Sequence, residues 1–169
     1  AIYGDSSSTI TLSGNESVSF SGNTASSSYY HAYGGAIYGA TSSTIDLSDN
    51  SIVTFSENSV SCAASSPSGS VYSYGGAISA CNILKINNND DVVFRGNYAY
   101  SPRDAAGGGA IYFGAYGDFS IQNNSTVVFE DNYALEYNYL RIQSIYAYDT
   151  SWSTRSLIVN FSAPENGRI

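Results

Sequence analysis

Gly34-Gly35-Ala36-Ile37-Tyr38-Gly39, Ile45-x-Leu47-x-x-Asn50-x-x-Val53 and Phe55-Ser56-Glu57-Asn58 follow one another in a single stretch, and the same order returns down the chain. With Phe as anchor, Phe20, Phe55, Phe94 and Phe129 are each followed three residues later by Asn23, Asn58, Asn97 and Asn132. Five residues before each Phe stand Asn15, Asn50, Asn89 and Asn124, and two before stand Val18, Val53, Val92 and Val127. Further upstream come Leu12, Leu47, Ile86 and Ile121, then Ile10, Ile45, Leu84 and Phe119. Gly34-Gly35-Ala36-Ile37 returns as Gly75-Gly76-Ala77-Ile78 and Gly108-Gly109-Ala110-Ile111. Repetition at such a period marks a solenoid, because no unit can bury its apolar face alone and each must stack on the next.

The Phe-to-Phe steps are 35, 39 and 35 residues. The variation falls before each Gly-Gly, so Thr24 to Tyr33, Ser59 to Tyr74 and Tyr98 to Gly107 read as loops of unequal length. The repeat units run approximately 1–33, 34–74, 75–107, 108–143 and 144–169. The first opens on Ala1-Ile2-Tyr3-Gly4 without its glycines, and a fifth begins at Ser144-Ile145-Tyr146-Ala147 and reaches only Asn166-x-x-Ile169. Both ends are expected to cut through a repeat, as in a piece of a longer array or a module that docks end to end.

Each unit carries two short alternating segments. Ile10-x-Leu12 and Val18-x-Phe20 place their apolar side chains on one face at period two, the strand signature. Ser13-Gly14-Asn15-Glu16 between them is a turn, since Gly and Asn tolerate left-handed backbone angles. Eighteen residues separate Ile37 from Phe55, about one turn of a parallel β-helix, so each repeat is expected to make two coils and the chain eight or nine. Gly-Gly permits a sharp corner where a Cβ would clash. The Asn after each Phe ends a strand, and a column of such residues is expected to form a hydrogen-bonded ladder. Residues 132–143 can be drawn as a weak amphipathic helix, but the register on both sides favours an irregular coil or strand.

Composition limits the partners. The formal net charge is −8, with Lys85, Arg95, Arg103, Arg141, Arg155 and Arg168 the only Lys or Arg residues. Phosphate binding needs clustered cations, which argues against nucleic acid. No apolar run has the roughly 18 residues of a membrane span, so this segment is not expected to insert directly into a bilayer. Cys62 and Cys81 lie nineteen residues apart, close to one coil on the count above. A rung-to-rung disulfide is then possible, since strand spacing of about 4.8 Å falls within disulfide Cα separations. Two small buried hydrophobes are the alternative.

No catalytic site, cofactor site or metal site is expected. The acidic candidates Asp46 with Asp49, Asp90 with Asp91, Asp118, and Glu130 with Asp131 each lie on or beside a turn and show no converging pattern. Polysaccharide cleavage needs paired carboxylates at set separations, and a calcium site near Asp90-Asp91 needs several oxygen ligands. His31, the lone histidine, stands in a Tyr-rich segment with no nucleophile signature. The 16 tyrosines invite a binding role instead. Tyr3, Tyr38 and Tyr112 recur after Ile and are expected to form a column on the outer face. Tyr29, Tyr30, Tyr33, Tyr72, Tyr74, Tyr98 and Tyr100 lie in or near the loops, and together are the candidate surface for a protein or glycan receptor. A third possibility is self-association. Uncapped strand edges at the two ends invite further copies end to end, giving a filament.

The alternation of Gly-Gly-Ala-Ile at Gly34, Gly75 and Gly108 with Phe-x-x-Asn at Phe20, Phe55, Phe94 and Phe129 resembles the repeats of chlamydial-type polymorphic membrane proteins. The tail Phe161-Ser162-Ala163-Pro164-Glu165-Asn166-Gly167 is similar to a Leu-Ser-Ala-x-x-Gly stretch common in such repeats. The resemblance covers nearly the whole chain. It implies an all-β, right-handed parallel β-helix forming the passenger of an autotransporter, displayed at the bacterial cell surface or secreted, and often adhesive. The expected function is therefore binding through Ser- and Tyr-rich loops on a rigid rod, without enzymatic activity. The membrane barrel of such proteins has no counterpart in this sequence.

Overall fold

The computed structural model describes residues 1–28, 30–63, 70–102, 105–114, 117–136, 139–141, 145–147 and 157–159. Tyr29, Pro67 and the tail from Phe161 to Ile169 lie outside the described residues. The described chain is built of strands without a helix, stacked as a parallel β-solenoid of about four turns.

Five sheets run along the stack. The first, which we call the Gly-Gly sheet, joins Ile2–Gly4, Ile37–Gly39, Ile78–Ala80, Ile111–Phe113 and Ile145–Ala147. The next joins Thr9–Thr11, Thr44–Asp46, Ile83–Asn87, Asp118–Gln122 and Leu157–Val159. The Phe sheet joins Ser17–Ser21, Ile52–Ser56, Asp91–Arg95 and Thr126–Glu130. Two shorter sheets return the chain to its start. One joins Thr24–Ser27, Ser59–Cys62, Tyr98–Ser101 and Tyr133–Glu136, and the other Ala32–Tyr33, Ser73–Tyr74 and Ala106–Gly107.

The pairing corrects the coil count. Ile2 pairs with Ile37 and Ile37 with Ile78, while Phe20 pairs with Phe55 and Phe55 with Phe94. Each strand meets its own equivalent one repeat away, so one repeat is one coil, not two. The eighteen residues from Ile37 to Phe55 cover only part of a circuit. The stack is accordingly about half as long as the double-coil reading requires. The segments before each Gly-Gly are also not wholly loops. They contain the two shorter sheets, joined by connections of unequal length at residues 28–31, 63–72 and 102–105, and the turn after the Gly-Gly sheet also varies, being shorter at 81–82 than at 40–43 or 114–117. Residues 133–136 and 139–141 form an antiparallel strand pair, Leu135 opposite Leu140, where a helix was the alternative.

Inside the coil the side chains align by register. Phe20, Phe55, Phe94 and Phe129 form one column with ring centroids 5.1, 5.0 and 5.0 Å apart, nearly coplanar in orientation. Ile37, Ile78 and Ile111 fill the opposite wall, with Ile45, Leu47, Leu84, Ile86 and Ile121 between. β-branched and aromatic residues suit these pleated, half-buried surfaces. A second, smaller cluster of Ala32, Val60, Cys62, Val71, Ala99, Ala106 and Ala134 lies between the two shorter sheets.

The Gly-Gly corner has a steric cause at each residue. Gly34, Gly75 and Gly108 have φ of +57°, +74° and +65°, where an L side chain is strained. A Cβ on Gly35 would lie 2.1 Å from the Gly76 carbonyl oxygen and 2.5 Å from that of Ser59. Neighbouring coils therefore approach backbone to backbone at this corner.

Candidate functional site

The two Asn registers form two ladders through the stack. The Oδ1 atom of Asn97 accepts the backbone N–H of Asn58 at 3.0 Å and its Nδ2 at 2.9 Å. The Asn97 amide donates to the Phe55 carbonyl at 2.9 Å and to Asn132 Oδ1 at 2.8 Å. Asn23 and Asn58 repeat the pattern, so the Asn of Phe-x-x-Asn is a buried strut between coils. The ladder Asn15, Asn50, Asn89 and Asn124 has the same geometry, for example Asn89 Nδ2 to Leu47 O and to Asn124 Oδ1, both at 2.9 Å. A side-chain amide offers two donors and two acceptor lone pairs, and here all four are used, which is why it tolerates full burial. The residue before each ladder Asn turns the chain in the left-handed region. Gly14, Asp49, Asn88 and Asn123 precede one ladder, and Gly22, Glu57, Gly96 and Asp131 the other. These ladders tie each coil to the next through buried amides.

The carboxylates stand apart. Asp46 accepts the Ser48 hydroxyl at 2.5 Å, Asp49 accepts from Asn88 Nδ2 at 3.1 Å, and Glu130 pairs with Arg95 at 2.7 Å. Asp91 lies in register between Ile52 and Thr126. Among the described residues, no three His, Cys, Asp or Glu side chains gather in one place.

Cys62 and Cys81 are both free thiols, which corrects the disulfide reading. Nineteen residues is about half a coil, so the two do not occupy equivalent rungs. Cys62 ends a strand of a shorter sheet and its Sγ–H faces the carbonyls of Tyr30 and Tyr72 at 3.0 and 3.1 Å. Cys81 sits just past the Gly-Gly sheet, beside Tyr38. Burial pushes both thiols up. Burial, with Cys81 adding to it, also pushes the Tyr38 phenol up to about 12.

The outer face where Ala32–Tyr33 and its equivalents meet the Gly-Gly sheet carries a continuous aromatic patch. Tyr3 lies 5.4 Å from Tyr38, Tyr38 lies 5.2 Å from Tyr33, and Tyr33 lies 6.1 Å from Tyr74. Tyr74 stacks on Tyr72 at 5.6 Å and on Tyr112 at 4.1 Å. His31 stacks on Tyr72 at 4.7 Å, and its Nδ1 accepts the Tyr72 backbone N–H at 3.0 Å. All but Tyr3 are partly buried, and Tyr3 is 66% exposed.

The patch differs from the expected column of Tyr3, Tyr38 and Tyr112. Ser79 stands in register between Tyr38 and Tyr112 and breaks it. Tyr33 and Tyr74, paired in the neighbouring sheet, fill the space from the side. Their next partner in that sheet is Gly107, which has no side chain to stand beside Tyr112. Small residues at Ser79 and Gly107 thus leave room for the Tyr74–Tyr112 stack. Of the candidate tyrosines, Tyr33, Tyr72 and Tyr74 come together here. Tyr98 and Tyr100 lie on the other short sheet, where Tyr98 stacks on Tyr133 at 5.5 Å. Tyr30 is 78% exposed on its own segment. His31 was the member that a reading of single loops missed. Its signal was the fixed step of five residues, Tyr33 to Tyr38 and Tyr74 to Ser79, which sets the two sheets side by side.

Residues 17–40, 52–81 and 91–114 each match the Chlamydia polymorphic membrane protein repeat. Every match begins on a Phe-sheet strand and ends one residue past the Gly-Gly-sheet strand that follows, so each takes in the Phe strand, the two return strands and the Gly-Gly corner and stops before the next strand of the circuit. No curated protein and no solved structure matches the chain. The chain is thus a β-solenoid that carries three copies of the Chlamydia polymorphic membrane protein repeat between residues 17 and 114.

Proposed function

We propose that this chain is a length of rigid, surface-displayed rod that binds a protein or glycan receptor through the aromatic patch of His31, Tyr33, Tyr38, Tyr72, Tyr74 and Tyr112. The repeat family is surface-associated, and the repeat and the solenoid fit a surface-exposed autotransporter passenger. The family is of the non-enzymatic passenger type. The observation that carries the binding role is the patch itself. Six aromatic side chains touch one another on the outside of the coil, where the core of Ile and Phe does not need them. Tyrosine gives a large contact area at small entropic cost and keeps a hydroxyl for hydrogen bonds, the character of binding hot spots.

The test is the triple variant Tyr33→Ala, Tyr72→Ala, Tyr74→Ala, compared with the parent for binding to host-type cells and to a glycan array. A hot-spot tyrosine is worth about 2 kcal/mol, roughly a thirtyfold loss of affinity for each one that contacts the receptor. Undiminished binding by a variant that keeps its β-sheet circular dichroism would refute the assignment. Light scattering on the same samples separates this from end-to-end association, in which particle length grows with concentration whatever stands at the three positions.

A further inference from the structure

Tyr74 and Tyr112 are more tightly stacked than any other tyrosine pair of the described patch, with centroids 4.1 Å apart and planes 8° from parallel. Tyr33–Tyr38 lies at 5.2 Å and 14°, Tyr72–Tyr74 at 5.6 Å and 11°, and Tyr98–Tyr133 at 5.5 Å and 9°. Tyr74 and Tyr112 belong to different sheets and successive passages of the chain, 38 residues apart in sequence. Both are partly exposed, so their phenols are open to an oxidant from solvent.

We infer that Tyr74 and Tyr112 are a site of oxidative modification, coupling to an intrachain dityrosine when a peroxide and a one-electron peroxidase catalyst are supplied. Each phenol loses one electron and its hydroxyl proton to become a phenoxyl radical. Spin density in such a radical sits on the oxygen and on the ring carbons ortho to it. One C–C bond forms between ortho carbons of the two rings, and each of those carbons then returns its hydrogen to its own oxygen, restoring the aromatic ring. The chain loses two hydrogen atoms in all, and the peroxide takes them up as two molecules of water.

The surroundings favour this pair over others. Centroids at 4.1 Å put ring carbons of the two residues at van der Waals contact, so only a local reorientation separates stack from bond. Ser79 and Gly107 are the small neighbours that give the rings room for that movement. Tyr3 is more exposed, but its ring meets Tyr38 tilted at 50° with centroids 5.4 Å apart, a poorer arrangement for coupling than the parallel contact of Tyr74 and Tyr112. The product is a covalent staple across consecutive coils. A cross-link that closes a loop of the unfolded chain stabilises the native state in the manner of a disulfide, and this chain's two thiols form none.

The experiment treats dilute protein with hydrogen peroxide and a haem peroxidase. Dityrosine fluorescence, intact mass and tryptic peptides are then read. Lys85, Arg95 and Arg103 lie between the two tyrosines, so a true staple joins two otherwise separate peptides. The expected result is a monomer lighter by two hydrogens, a joined peptide pair carrying Tyr74 and Tyr112, and a urea midpoint above that of untreated protein. Tyr112→Phe keeps the ring stack but removes the phenol, and is expected to lose the joined pair. Tyr98→Phe is expected to keep it. Cross-links found only between molecules, a joined pair other than Tyr74 with Tyr112, or a pair surviving in Tyr112→Phe would each overturn the assignment.

Discussion

Replacing Asn97 by Ala removes one rung of the ladder without touching the apolar core. Asn97 is fully buried. Its loss strands the backbone N–H of Asn58 and one Nδ2 hydrogen of the same residue, both of which end on Asn97 Oδ1. The Phe55 carbonyl loses its side-chain donor as well. Asn132 Oδ1 keeps one partner, because the backbone N–H of residue 97 remains. Two buried donors and one acceptor are thus left unsatisfied, at roughly 1–3 kcal/mol each, less whatever water entry recovers. An expected cost of about 3–6 kcal/mol is a large share of the 5–15 kcal/mol typical of a whole domain. Asn23→Ala is the matched control. It stands at the outer rung, where only its Nδ2 bonds to Asn58 Oδ1 and Ser21 O and its acceptance from the Ala1 amine are lost, and is expected to cost about 1 kcal/mol or less. Equilibrium urea unfolding gives both numbers from the shift in midpoint at constant slope. Equal costs for the two substitutions would refute the view that the ladder's strength comes from satisfied buried amides.

Four further outcomes are expected. Phe55→Ala empties a buried place between two stacked rings and is expected to cost about 3–5 kcal/mol, more than Phe129→Ala at the partly exposed end of the column, as measured by chemical unfolding. Gly35→Ala drives a methyl into the backbone of the next coil and is expected to prevent native folding or lower the thermal midpoint sharply, whereas Gly14→Ala, with nothing within 4 Å of its Cβ, carries only left-handed backbone strain of about 1–2 kcal/mol. Tyr38 binds its proton more tightly folded, at about 12, than at its ordinary value of 10.0. The unfolded chain therefore ionises first, and the stability contributed by this group is intact below pH 10 and lost as pH rises towards 12, a loss that Tyr38→Phe is expected to reduce in unfolding curves taken across that range. A thiol reagent is expected to find two free cysteines per chain in denaturant, with Cys81 reacting before the buried Cys62 in the native protein.

Much of the fold was legible because identical side chains recur at identical register. Phe over Phe and Asn over Asn need no more than a count of spacings, and the Gly-Gly corner announces itself by removing the Cβ. The number of coils was not legible for a physical reason. The two short sheets turn Ala25, Val60, Ala99 and Ala134 inward on one, and Ala32, Ser73 and Ala106 on the other. These small or polar residues give no clear period-two hydrophobic signal, so their strands read as polar loops and the circuit looked half as long. The same hidden strands make nineteen residues resemble a whole coil, whereas Cys62 and Cys81 stand about half a coil apart. The aromatic patch was half visible. Its tyrosines could be named, but the gap at Ser79 and the sideways entry of Tyr33 and Tyr74 depend on which sheets adjoin. The carboxylates read as turn residues, but Asp46 and Glu130 end strands; Asp46 accepts from nearby Ser48, and the pairing of Glu130 with Arg95 depends on how the coils stack.

One circuit per repeat, like residue over like, is tested most directly by nuclear Overhauser contacts between phenylalanine rings in a ring-labelled sample assigned with single Phe→Leu variants. The 5.0 Å spacing of Phe55 to Phe94 and of Phe94 to Phe129 predicts direct contacts for both pairs. Two coils per repeat would set those rings about 9.6 Å apart, two strand spacings, with another strand between them. Absence of both contacts, together with contacts from Phe94 to the strand at Ile111 as its stacking neighbour, would contradict the account.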